Sequence, residues 1–216
     1  MSEREPRSFE SNSSSSESEP QKQTHWDEVA KRVEGYKDGL GKPIDTGIIE
    51  TVIALNVFDL QTSQSCEGHL NWGIAAPWAE IKVEGVDELW KKSSEAFDQA
   101  EQAELNNTPT EEIQNLYQNA HKLTAEANRP ILEKGQIAMD LLNDFYTNRT
   151  VQHDQRIIVE EMGRRLRLTS AGAFLQEIAD PIVKEQRLQT YQQEMADFTA
   201  YLKARYLGSE KSKKQG

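Results

Sequence analysis

The chain has 216 residues, enough for one domain with a buried core and polar tails. Its formal charge of −11 opposes long-range attraction to polyanions, so non-specific binding to nucleic acid or to an anionic membrane surface is not expected. A single cysteine excludes an intramolecular disulfide and a multi-thiolate zinc site, and it suits a reducing, cytoplasmic setting.

Residues 1–24 are rich in Ser and Glu and carry one aromatic, a composition too polar to offset the entropy of ordering, so they read as a disordered acidic tail. They contain no apolar run of a secretory signal, and no later stretch approaches the ~20 apolar residues of a membrane span. A single domain is expected over 25–207, followed by a Lys-rich disordered tail at 208–216.

Trp26, Val29, Ala30, Val33 and Tyr36 repeat at the helical period and predict a first helix ending at Gly39-Leu40-Gly41. Asp45 is expected to cap a second helix, which Ile48, Ile49, Val52, Ile53, Leu55 and Val57 make apolar on most sides and therefore deeply buried. Gln61 to Cys66 reads as a strand built from Thr, Ser and Gln. From Trp78 to Glu84, Ala79, Ile81 and Val83 alternate with Trp78, Glu80 and Lys82, a half-buried strand pattern. An antiparallel pair joined by residues 67–77 follows, and that loop is longer than a hairpin needs.

Two helices form an expected antiparallel arm over 86–146, broken at Asn107-Thr108-Pro109, with Pro130 kinking or restarting the second. Ile157 and Val159, a turn near Gly163, then Leu166 and Leu168 predict a second hairpin. A last long helix runs from about Ala171 to Tyr206, with a possible kink at Pro181. Phe174, Leu175, Ile178, Ile182, Val183, Tyr191, Met195, Phe198 and Leu202 lie along it. The order ααββααββα gives an α+β fold with a small, mainly antiparallel sheet packed by long amphipathic helices.

Function points to the window 61–83, which gathers the lone Cys66, His69, Trp72 and Trp78. Gly68 can turn the chain sharply enough to bring Cys66 and His69 together. In a nucleophile reading His69 activates the Cys66 thiol, with Glu67 or Glu80 orienting the imidazole. In a metal reading Cys66 and His69 supply only half of a four-ligand zinc set, and Glu67, Glu80, His121 or His153 would have to complete it, so no metal is assigned. A pocket without chemistry uses Ser63, Ser65, Gly68, Trp72, Trp78 and Glu80 as hydrogen-bonding groups and flat apolar walls. The bland alternative makes Cys66 a small buried residue.

Arg156, Arg164, Arg165 and Arg167 are expected to guard a sheet edge rather than to hold an anion. Met139, Met162 and Met195 fall at core-like positions. The common nucleotide, hydrolase and zinc-protease motifs are missing, so the cofactor stays unknown. The expected function is a small-ligand-binding or accessory protein. The alternatives are a thiol-dependent enzyme and an interaction protein acting through its long helices.

The run from Ile44 to Ile81 resembles an uncharacterised group of bacterial and phage-type proteins that share Ser-Cys-Glu-Gly-His and a downstream Pro-Trp. Here these are Ser65, Cys66, Glu67, Gly68 and His69, then Pro77 and Trp78. The resemblance implies a shared site and no known activity. A more distant, local stretch is similar to tRNA wybutosine-synthesizing protein 3. Gln64, Glu67 and His69 stand where the motif of that family has Ser, Ser and Arg. That likeness implies S-adenosylmethionine-dependent RNA modification as a further enzymatic alternative.

Overall fold

The structure, a computed structural model, describes residues 18–37, 40–178 and 180–208. The expected termini at 1–17 and 209–216, and Gly39 of the first helix stop, lie outside the described residues. Residues 19–24 correct the tail assignment, because the first helix, α1, runs Glu19–Glu34. Its start is made by groups that the polar composition hides. Gln21 Oε1 accepts from both the backbone N–H and the hydroxyl of Ser18 at 2.9 and 3.0 Å, and Pro20 occupies the first turn, where its missing N–H costs nothing. Trp26, Val29 and Val33 are its buried face.

Helix α2, Ile49–Val57, is buried at seven successive residues from Thr51 to Val57. Its two buried polar side chains are satisfied, as buried polar groups must be. Thr51 Oγ1 pairs with Thr199 Oγ1 at 2.7 Å, while Asn56 Nδ2 donates to the Val52 carbonyl and to Thr62 Oγ1 at 2.8 and 3.1 Å. Asp45 does not cap this helix with its side chain. Its carbonyl accepts from Ile48 N–H at 3.1 Å, and the carboxylate turns away towards the 67–69 loop.

The strands are β1 Thr62–Cys66, β2 Trp78–Ile81, β3 Ile157–Glu161 and β4 Leu166–Ser170. They form one four-stranded antiparallel sheet in the order β1-β2-β4-β3, so the two expected hairpins join through β2 and β4. Strand β2 stops at Ile81, short of the expected Glu84. Ala79 faces Leu168 and Ile81 faces Leu166, and these four residues are buried on the core side of the sheet. Because β4 is an inner strand, its Arg167 guards no edge, and Arg164 and Arg165 lie in the turn before it. Arg165 pairs with Glu80 at 2.7 Å, and the Arg167 guanidinium lies 4.8 Å from the Trp78 ring centre. Arg164 pairs with Asp87, and Arg156 sits over the Tyr146 ring.

Helices α3, Val86–Leu105, and α4, Thr110–Tyr146, form the expected arm. Small buried residues, Ser93, Ala96 and Ala100 on one and Ala120 and Ala127 on the other, let them approach, and Ser93 Oγ meets Thr124 Oγ1 at 2.7 Å. α4 passes through Pro130 without a break, and Ala127 and Ile131 on either side are buried. The last helix, α5 Pro181–Leu207, begins at Pro181 rather than kinking there. Asp180 caps it by accepting from Ile182 N–H, and Ala173–Ile178 forms a separate 3₁₀ turn. Of the apolar residues expected along that helix, Phe174, Leu175, Ile182 and Val183 are exposed. So are Met139 and Met162, whereas Met195, Phe198 and Leu202 lie in the core.

Candidate functional site

Strand β1 is an edge strand, and its polar side chains do not belong to the core: Ser63 and Gln64 are exposed. Against them lies the connection between α1 and α2. The two walls enclose a groove of about 770 Å³ lined by Tyr36, Lys37, Ile44 and Asp45 on one side, by Ser63, Gln64, Ser65 and Cys66 on the other, and by Trp72 and Trp78. This volume lies within the range of small-molecule sites.

At one end β1 gives way to the turn 66–69. Gly68 has φ of +86°, and a Cβ there would stand 2.7 Å from the Ala76 carbonyl carbon and 2.8 Å from Leu188 Cδ1, so only glycine fits. The turn aims the Gly68 N–H at Cys66 Sγ, 3.4 Å away. It also carries His69 back over Asp45. His69 Nε2 lies 3.3 Å from Asp45 Oδ2, and the same oxygen accepts from Glu67 N–H at 3.3 Å. In return Glu67 Oε2 accepts from Gly47 N–H at 2.8 Å. Two crossing bonds thus tie residues 45–47 to residues 67–69. The Glu67 carbonyl is fixed from a third side, accepting from Gln192 Nε2 on α5 at 3.0 Å.

Cys66 is buried, and burial pushes its thiol above the ordinary value. The Gly68 N–H pulls the other way, and the nearby Asp45 and Glu67 carboxylates raise it further. The protonated thiol is therefore the favoured form at neutral pH. A carboxylate oxygen of Asp45, Cys66 Sγ and a ring nitrogen of His69 converge within 4.8 Å of one another; among the described residues, no other group of three His, Cys, Asp or Glu side chains is arranged to hold a metal ion. The imidazole lies flat on Trp72, with ring centres 3.9 Å apart and planes 19° from parallel, although the indole is 62% exposed.

Cys66 and His69 thus meet as their spacing implies, and Ser63, Ser65, Trp72 and Trp78 line the groove with Cys66. Gly68 shapes the turn. Glu67 and Glu80 do not take the place of imidazole partner; Asp45 does. Glu80 is buried on β2 and accepts from Ser63 Oγ at 2.6 Å and from Arg165, which removes it from the set of groove-lining groups. His121 packs edge-on to Phe97 in the helical arm, and His153 lies in a 3₁₀ turn before β3. Sequence reasoning missed Asp45 and the whole α1–α2 wall. Asp45 stands a few residues before an apolar helix, which is the signature of a cap, and nothing local marks a contact 24 residues ahead.

A scan against protein-family models, a search of curated proteins and a search of solved structures found no match to this chain.

Proposed function

We propose that the protein binds a small, flat, polar molecule in the groove between β1 and the α1–α2 connection. One observation supports this above the others: the sheet edge is clothed in hydroxyl and amide groups, Ser63, Gln64 and Ser65, directly beside two indoles, Trp72 and Trp78. Indole faces bury a flat ring at low entropic cost, and the hydroxyls and amide read its polar edge. Such an arrangement serves poorly as core and well as a receptor. The raised Cys66 thiol favours binding over a thiolate nucleophile, which needs a lowered pKa. A reducing compartment, the cytoplasm, suits the free thiol, and no described helix is long and apolar enough to cross a membrane.

The test is quenching of tryptophan fluorescence by a panel of purine and pyrimidine nucleosides and aromatic amino acids. At least one compound should quench saturably in the full chain. Trp78→Ala should weaken its binding by about tenfold or more while the melting temperature changes little, since one well-packed aromatic contact at a site carries roughly 1–3 kcal/mol. No saturable quenching by any member of the panel, or equal affinity in the variant, contradicts the reading.

A further inference from the structure

We infer that Asp45, Cys66 and His69 form a three-ligand site for a zinc-class divalent cation whose remaining coordination position opens into the groove. The inference goes beyond the groove reading and stands without it.

The argument starts from ligand chemistry. A tetrahedral zinc ion with bonds near 2.0–2.3 Å holds its N, O and S ligand atoms roughly 3.3 to 3.6 Å apart. His69 Nε2 and Asp45 Oδ2 already stand 3.3 Å apart, and one ligand atom from each of the three residues lies within 4.8 Å of the other two. Small side-chain rotations close the difference. One thiolate, one imidazole and one carboxylate form a mixed soft and borderline set that suits zinc or cobalt and disfavours magnesium and calcium, which take oxygen ligands. With the thiol ionised the set carries two negative charges and neutralises a divalent cation in a half-buried place.

The ligands are also held. Asp45 Oδ2 is steadied by Glu67 N–H, Cys66 Sγ by Gly68 N–H, and the His69 ring by its stack on Trp72. Supporting contacts of this kind orient metal ligands in established sites. Three protein ligands with an open position are the pattern of zinc sites that bind a water or a substrate, whereas structural sites are closed by four. Asp45 and Cys66 both line the groove, so the open position faces it. Loading balances simply: the cation replaces the S–H proton of Cys66, which leaves to solvent, and His69 carries its remaining ring proton on Nδ1 while Nε2 becomes the ligand.

The experiment uses the full chain, stripped with EDTA and dialysed, titrated with Zn²⁺ by calorimetry and with Co²⁺ by absorbance. The expected result is one equivalent bound, with a thiolate-to-cobalt charge-transfer band that Cys66→Ser abolishes. Asp45→Asn and His69→Gln should each weaken binding by more than about tenfold, at least the loss that supporting groups around a metal produce. These two positions are only half-buried, so their variants keep the test decisive where Cys66→Ser folds poorly, and a melting curve of each verifies folding. No saturable uptake, or an affinity and band unchanged in the folded Asp45→Asn and His69→Gln proteins, overturns the inference. Nucleoside quenching that persists after EDTA treatment in that case leaves the groove reading intact.

Discussion

At the scale of single residues, the site depends on one backbone geometry. Gly68 takes a conformation that costs an L-residue about 1–2 kcal/mol, and a methyl group there also meets the Ala76 backbone and Leu188. Gly73 shares the positive φ, +69°, but has nothing within 4 Å of its Cβ position. Urea denaturation should therefore separate them. Gly73→Ala is expected to lose about 1 kcal/mol, and Gly68→Ala about 3 kcal/mol or more, because packing conflict adds to strain. Equal losses contradict the assigned turn. The closeness of Cys66 and His69 was legible in the sequence, since two intervening residues that include a glycine permit it. The role of Asp45 was not, because an acid before an apolar helix reads as a local cap and gives no sign of a partner across the chain.

At the scale of elements, periodicity carried most of the information. The alternation in β2 and around Leu166 and Leu168 found both hairpins, and the apolar run of α2 marked the most buried helix. Boundaries failed where side chains rather than periodicity set them. α1 starts at a Ser18–Gln21 cap inside a polar stretch, and α5 starts at an Asp180 cap with Pro181 in its first turn. The junction between α4 and the sheet shows how one polar group can fasten two elements. The hydroxyl of Tyr146, the last residue of α4, accepts from the Ile157 N–H at the first residue of β3 at 2.8 Å. The pair is buried, and burial drives the phenol far above its ordinary value, so it stays neutral. Tyr146→Phe leaves that N–H without its acceptor and should cost about 1–3 kcal/mol by thermal or urea unfolding. An unchanged stability would mean that the bond contributes nothing to the junction.

At the scale of the whole molecule, the site is built from two parts of the chain that only the tertiary fold unites. Strand order was not legible, because pairing of β2 with β4 spans some 85 residues and leaves no local trace. It nevertheless decides where the groove lies. It places β1 at an edge, where hydroxyl-bearing side chains can face a groove, and it places Arg167 of β4 on an inner strand over the Trp78 ring, while Arg165, in the turn before β4, pairs with Glu80. The opposite wall comes from the α1–α2 connection, and the two crossing bonds between residues 45–47 and 67–69 join the walls. A double-mutant cycle on Asp45→Asn and His69→Ala, read by urea unfolding of the full chain, measures most directly the third contact across that junction, between the Asp45 carboxylate and the His69 ring. Residues in contact couple by about 0.5–3 kcal/mol, and a value of at least 0.5 kcal/mol is expected here. Effects that add to within about 0.3 kcal/mol, the behaviour of distant sites, would contradict the convergence on which the groove and its ligands rest.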